Sequence, residues 1–306
     1  MTCPFFKTAR NVLFLCLLFL LLCPRNVWPE NNPPPEEQSS EDKAEKETSL
    51  LEELLFMWLP KTQQEHELEI TLNPRLDDMV RRDYVRIPFR IRYGITKNLE
   101  MSFRLTNFLD NPFRGDTGTG LSDIFLGTKY QWKKILKSYV DSATAFSILI
   151  PNDDRLGMTD RHTHYQPQLI FSKILPNWQS VQLSFAIHMD ILSSQPNFND
   201  IPEGVPAYNA LGLFLGLVYF KPSYNYSFEI FWITTEIDRG DENPVYISPG
   251  LFWNIPKRRY PKLPGLLRLA LGLRFGVYDA SEDFAFIARL KWDIPIKKYL
   301  RGKRAK

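Results

Sequence analysis

Residues 181–192 read VQLSFAIHMDIL, and residues 267–277 read LRLALGLRFGV. In both stretches an apolar residue occupies every second position, with small, polar or charged residues between. A β-strand points successive side chains to opposite faces, so this period of two gives each strand one apolar and one polar face. Segments of the same kind follow one another from about residue 65 to 294 and predict an all-β domain.

The alternating segments number about twelve, and most are long enough to cross a bilayer as tilted strands. An even number of antiparallel strands is typical of single-chain outer-membrane barrels. The sequence therefore predicts an antiparallel up-and-down transmembrane β-barrel of about 12 strands with a short N-terminal helix. The predicted strands are 65–73, 84–96, 99–109, 121–132, 139–150, 163–174, 181–192, 208–220, 226–237, 245–255, 266–278 and 284–294.

The connections between these strands favour a membrane barrel over a soluble β-sandwich, which also alternates. Outer-membrane barrels have short periplasmic turns and longer outer loops. If the chain starts on the periplasmic side, the three longest connections, 110–120, 151–162 and 193–207, all fall outside. The inner connection 256–265 is longer than this rule prefers.

The N-terminus predicts export. Lys7 and Arg10 precede an apolar run at 12–23, which is typical of a secretory signal peptide over residues 1–23, although a retained anchor stays open. All three cysteines lie in this leader, so the exported part has no thiol. The Pro- and Glu-rich stretch 24–48 predicts a disordered acidic linker.

Residues 49–60 predict a short amphipathic helix, because Ser49 and Glu52 form a capping-box pattern and Pro60 ends the segment. We expect it to lie on the periplasmic membrane surface; the alternative is a plug across the barrel mouth. The barrel itself is assigned to 61–296 and a basic periplasmic tail to 297–306.

Two stretches carry a family resemblance. Residues 87–103 read IPFRIRYGITKNLEMSF, and residues 118–130 read GTGLSDIFLGTKY. Both resemble the outer-membrane proteins named for the MetA pathway of phenol degradation, with Ser122 where that family usually has a second glycine. The resemblance is clearest over about 85–135. It implies a β-barrel that passes small organic compounds.

Charged residues on the polar strand faces are the candidate solute pathway. Nine Arg and Lys residues outnumber Glu100, Asp123, Asp190 and Asp293 on these faces, which predicts a preference for anions. The alternative is an interior that is closed by ion pairs between the strands. The predicted pathway residues are Arg86, Arg90, Arg92, Glu100, Arg104, Asp123, Lys129, His188, Asp190, Arg268, Arg274, Arg289 and Lys291.

Catalytic signals are weak. Ser184, His188 and Asp190 share a strand face and suggest a lipid hydrolase, but a triad needs a specific chain of hydrogen bonds. His162 and His164 beside Asp160 make an incomplete metal site. We therefore predict no enzyme activity, no metal and no cofactor. The formal net charge of +3 and the absence of a basic binding motif argue against a nucleic-acid partner.

These features predict a channel in the bacterial outer membrane for passive or facilitated passage of small organic compounds. The expected partners are outer-membrane lipids, small organic solutes and the barrel assembly machinery, the last through an internal signal at Leu290 and Trp292. The oligomeric state stays open. The alternatives are an anion-preferring porin for acidic solutes, a lipid-modifying enzyme and a structural barrel that does not conduct.

Overall fold

The computed structural model describes most of the predicted barrel and the segment that precedes it. The described residues are 53–75, 84–110, 119–132, 140–152, 162–175, 178–193, 209–221, 223–238, 243–277 and 284–296. The predicted signal peptide, the acidic linker, the first four residues of the predicted helix and the basic tail lie outside these ranges.

All twelve predicted strands are present, and their ends differ from the predicted ends by at most three residues. The alternation located them well because every strand has one face to the lumen and one to the outside. The strands are β1 (Glu67–Leu72), β2 (Tyr84–Gly94), β3 (Leu99–Asp110), β4 (Gly120–Trp132), β5 (Asp141–Pro151), β6 (His164–Leu175), β7 (Trp178–Leu192), β8 (Ala210–Phe220), β9 (Tyr224–Thr234), β10 (Val245–Asn254), β11 (Leu266–Gly276) and β12 (Phe284–Pro295).

The strands form one closed antiparallel barrel. Each strand pairs with its neighbours in the chain, and β1 closes the barrel by pairing with β12 from Glu67 opposite Pro295 to Leu72 opposite Leu290. Closure lets the strands satisfy one another's backbone groups, which is the condition for crossing a bilayer with β-structure. Two short 3-10 helices, Glu236–Asp238 and Lys257–Arg259, lie in connections. No helix among the described residues is long and apolar enough to cross a membrane.

The outside of the barrel is apolar and the inside is polar or small. Outward positions carry exposed residues such as Met101, Leu126, Leu169, Leu215 and Phe228. The alternating inward positions are buried and carry charges, hydroxyls, alanines and glycines. This arrangement is that of a transmembrane barrel, because only a lipid environment makes an outward apolar face favourable on all twelve strands.

Aromatic residues mark the barrel end where the short turn 95–98 joins β2 to β3, which we call the inner end. Tyr219 stacks on Tyr226 and Tyr224 stacks on Trp253 on the outer surface there. The Lys221 ammonium lies 5.5 and 5.7 Å from the ring centroids of Tyr219 and Tyr226. Such rings with a nearby cation suit the boundary between acyl chains and headgroups.

The prediction of an amphipathic helix over 49–60 is wrong for the described part, 53–60. The Leu54 amide donates to the Met57 carbonyl at 2.7 Å, and Glu53 pairs with Trp58 in an antiparallel bridge. Residues 53–63 thus form a tight hairpin followed by an extended segment. We call the whole of 53–63 the lumenal hairpin. It lies inside the barrel rather than on the membrane surface, so the plug alternative describes it better.

An outward charge at mid-strand should destabilise the barrel in a bilayer. Leu215→Arg, in the middle of β8, is expected to lower the free energy of unfolding by about 2–4 kcal/mol, because the guanidinium must enter hydrocarbon. Denaturant titration in lipid vesicles measures this. Leu263→Arg, in the exposed inner connection 255–265, is the matched control and should change stability by less than about 1 kcal/mol. Equal effects of both substitutions would contradict a membrane-facing β8.

Candidate functional site: the barrel lumen

A buried charged layer crosses the inner part of the lumen on the wall formed by β11, β12 and β1–β4. The Glu69 carboxylate accepts from Arg92 Nε at 2.7 Å and pairs with Lys291 Nζ at 2.7 Å. Glu100 lies 3.3 Å from Lys129 Nζ and 3.5 Å from Arg92 Nη1. Asp293 lies 3.5 Å from both Arg268 and Lys291. The side chains of Glu69, Arg92 and Lys129 are fully buried, so the centre of this layer has no contact with solvent.

The lumenal hairpin is attached to this layer through its backbone. Lys129 Nζ donates to the carbonyls of Leu59 and Lys61 at 3.0 and 2.6 Å. The Gln63 amide donates to Glu100 at 2.8 Å. A strand-like segment inside a lumen cannot pair with the wall strands, so charged side chains replace the missing backbone partners.

The tip of the hairpin is held by one acid and one base. Glu229 of β9 accepts hydrogen bonds from the amides of Leu55, Phe56 and Met57 at 2.9, 3.0 and 3.1 Å. Arg289 of β12 donates to the carbonyls of Leu54 and Leu55 at 2.7 and 2.6 Å. Because β9 and β12 are separated by two strands, the tip is fixed from two parts of the wall.

Small residues in the wall make room for the hairpin. Its buried side chains Leu54, Leu55, Met57 and Leu59 pack on alanines and aliphatic residues from β5–β8, β11 and β12, and on Phe252 of β10. A Cβ at Gly216 would meet Leu54, and one at Gly250 or Gly272 would meet Leu55. The lumen therefore has one charged half and one apolar half, and the hairpin fits between them.

Glu53 anchors the start of the hairpin to the charged half. It pairs with Arg90, with Arg289 Nη1 at 3.0 Å and with Arg92 at 3.8 Å. Burial opposes ionisation, but the attraction of Arg90, Arg289 and Arg92 outweighs it and lowers the pKa of Glu53 to about 2. The contact contributes stability in full above the ordinary pKa of about 4.5 and loses it as the pH falls towards 2.

A row of rings lies on the outer side of the hairpin, along β7–β11. His188 meets Phe214 edge-on, Phe214 stacks on Phe231, and Phe231 stacks on Tyr246. Phe56 of the hairpin joins this row, with its ring centroid 4.9 Å from that of Phe231. Arg274 continues the row, because its guanidinium lies 5.1 Å from the Tyr246 centroid and 5.7 Å from that of Phe56.

The suspected Ser–His–Asp arrangement is not formed. Asp190 bonds to His164 of β6 at 2.8 Å, whereas His188 packs on Phe214. The Ser184 hydroxyl is buried and has no hydrogen-bond partner among the described residues. The three side chains share a face, as predicted, but the hydrogen-bond chain that activates a nucleophile is absent from this wall. The described residues also contain no group of three or more potential metal ligands.

A cavity of about 120 Å³ lies beside the hairpin, against β1–β3 and β12. Arg104 on its wall lies 3.4 Å from Asp123 and stacks over the Phe125 ring at 4.6 Å. Trp58 of the hairpin meets the same Phe125 edge-on, with centroids 6.0 Å apart. The cavity is thus bounded by guanidinium groups on the strands and by apolar side chains on the hairpin.

The predicted pathway residues do not form one continuous route. Most of them divide among the places already described. Arg92, Glu100, Lys129, Arg268 and Lys291 belong to the inner charged layer; Arg90 and Arg289 hold the hairpin; Arg104 and Asp123 lie at the cavity; His188, Asp190 and Arg274 lie in the outer part. Arg86 shares the lumenal face of β2 with Arg90 and Arg92.

Three acids that the sequence analysis missed alter the charge balance. Glu69 and Glu229 are lumenal and almost fully buried, and Glu53 enters the lumen with the hairpin. Adding these three to the four acids weighed earlier makes seven, against the nine cations weighed earlier and Arg75, which lines the cavity. The alternation of apolar and polar residues in β1 and β9 was enough to place Glu69 and Glu229 on the lumenal face. No such pattern marked Glu53 as lumenal, because its segment was predicted to lie on the membrane surface.

Comparison with known proteins agrees with the fold. No protein-family model matches this sequence, and no curated protein matches it. Among solved structures, an outer-membrane channel from Pseudomonas putida F1 is similar, with a TM-score of 0.52, 11% identity, and coverage of 76% of this chain and 97% of that one. The NanC porin gives a TM-score of 0.49 and 10% identity, covering 73% and 97%. At such low identity the likeness concerns the barrel fold alone.

Removing the Glu229 carboxylate should release the hairpin tip. In a chain with Cys3, Cys16 and Cys23 replaced by Ser, Met57→Cys places a thiol on the buried hairpin. Adding Glu229→Ala should speed its labelling by a water-soluble maleimide about tenfold or more, because three amides lose a charged acceptor. Ser227→Ala, two residues along β9, is the control and should leave the rate unchanged. Equal rates in all three proteins would mean that Glu229 does not hold the hairpin.

Proposed function

We propose that this protein is an outer-membrane channel for passive or facilitated passage of small organic compounds, and that the lumenal hairpin closes it at rest. The closed twelve-stranded barrel with an apolar exterior and a polar interior supports the channel. The resemblance of 85–135 to the MetA-pathway outer-membrane proteins supports small organic compounds as solutes. A bacterial outer membrane is the location that such a barrel requires.

The placement of the hairpin is the observation that carries this proposal. Its residues precede β1, so the hairpin can leave the lumen without breaking a strand pair of the barrel. It is held by hydrogen bonds, ion pairs and packing, which are reversible contacts. The hairpin and the charged layer together fill the inner lumen, so a solute passes when the hairpin moves aside.

Specific observations also support two alternatives, a barrel that does not conduct and an anion-preferring pore. The buried layer around Glu69 and Arg92 favours a structural barrel that does not conduct, since these ion pairs lie within the wall strands and fill the charged half of the inner lumen. The excess of lumenal cations favours an anion-preferring pore, although the acids Glu53, Glu69 and Glu229 reduce it. A lipid-modifying enzyme has no such support, because Ser184 and His188 are not joined.

Single-channel recording in planar bilayers tests the proposal. The native protein should open rarely, and Glu229→Ala should raise the open probability about tenfold or more by weakening the closed state. Ser227→Ala should behave as the native protein. The reversal potential in a salt gradient then measures anion preference.

The folded state of each protein is checked by its heat-modifiable gel mobility. If folded native and Glu229→Ala proteins are both silent in the bilayer, the non-conducting structural barrel is correct. If the native protein is already fully open, the hairpin does not close the pore.

A further inference from the structure

The 120 Å³ cavity beside the lumenal hairpin has a strongly positive lining. Four arginines and one acid, Glu53, contribute to the lining, while Asp123 and Glu69 lie behind it, 3.4 Å from Arg104 and 3.6 Å from Arg90. The arginines are Arg75, Arg90, Arg104 and Arg289. Guanidinium groups stay protonated in proteins, so this positive charge is permanent. A cavity with such a lining favours an anion over a neutral or cationic occupant.

Several polar atoms of the same lining lack a partner. The Nε atoms of Arg90, Arg104 and Arg289 are buried and have no hydrogen-bond partner among the described residues. Glu53 engages the terminal nitrogens of Arg90 and Arg289, which leaves the inner N–H of each unused. Buried N–H groups of folded proteins nearly always have a partner. The arginines of this lining therefore carry more N–H donors than the described residues satisfy.

Part of the lining is apolar, beside Thr71 and Asn73. Leu54, Leu55, Phe56 and Trp58 of the hairpin and Pro88 of β2 form this part. An apolar protein cavity of about 150 Å³ holds one benzene molecule. This cavity is somewhat smaller but is not fully enclosed, so it has room for a short chain or for most of one small ring. The occupant should thus carry a charged oxygen group on one side and a compact apolar group on the other.

We propose that this cavity binds a small organic monocarboxylate of about the size of benzoate. The carboxylate accepts hydrogen bonds from Arg90, Arg104 and Arg289, and the apolar group packs on Phe56 and Trp58. Charge-assisted bonds from guanidinium to carboxylate are strong and directional, which suits recognition in a narrow lumen. As a step on a transport path the site rests on the proposed channel function, but its ligand can bind whether or not the barrel conducts.

Calorimetric titration of the folded protein in detergent with benzoate tests the site, with empty micelles as the blank. Benzoate should bind saturably, and benzyl alcohol, which has the same ring without the charge, should not. Arg104→Gln should raise the benzoate Kd about tenfold or more, because one charged donor is lost. Arg104→Lys keeps the charge but loses the planar fork, so it should weaken binding less and gives a second variant if the glutamine form does not fold.

Arg259→Gln is the matched control, because it removes a positive charge from the exposed inner rim outside the lumen. Its benzoate Kd should equal that of the native protein. The proposal is overturned if benzoate does not saturate, if benzyl alcohol binds equally well, or if Arg104→Gln and Arg259→Gln behave alike. A conducting barrel that does not bind benzoate overturns the site alone, whereas a silent barrel that binds it overturns the channel and leaves the site.

Discussion

The carboxylate of Glu229 accepts hydrogen bonds from three successive backbone amides at the tip of the lumenal hairpin. The position of the hairpin inside the barrel depends on this contact. A chain segment inside a closed barrel has no strand to pair with, and each unpaired backbone group in such an interior is costly. Glu229 from one wall and Arg289 from another supply acceptor and donor together. The hairpin can therefore occupy the lumen without pairing with the strands of the wall.

Around this contact, apolar packing holds one side of the hairpin and charged side chains hold the other. Small wall residues such as Gly216 and Gly272 accept the hairpin leucines, so burial of apolar surface favours the closed arrangement. The charged half, around Glu69 and Arg92, binds the hairpin through Lys129 and Glu100. The two halves make the closed lumen specific in shape and in charge, while every contact that holds the hairpin remains reversible.

The strands and the site were not equally predictable. β7 and β11 could be located to within a few residues because lipid on one side and the lumen on the other impose a strict period of two. The same period identified lumenal Arg92 and Lys129. It could not reveal that Glu53 would join them, because a segment without strand pairing leaves no such period in the sequence.

The helix prediction failed for a related reason. The leucines at helical spacing in 49–60 indicate an apolar side, but they do not say whether lipid or a protein interior covers it. The sequence by itself determined the barrel, its strand positions and the charges of its lumen, because those follow from local alternation. Only the tertiary structure decided that the hairpin fills the lumen and that Arg90, Arg104 and Arg289 surround one cavity, because those contacts join residues far apart in the chain.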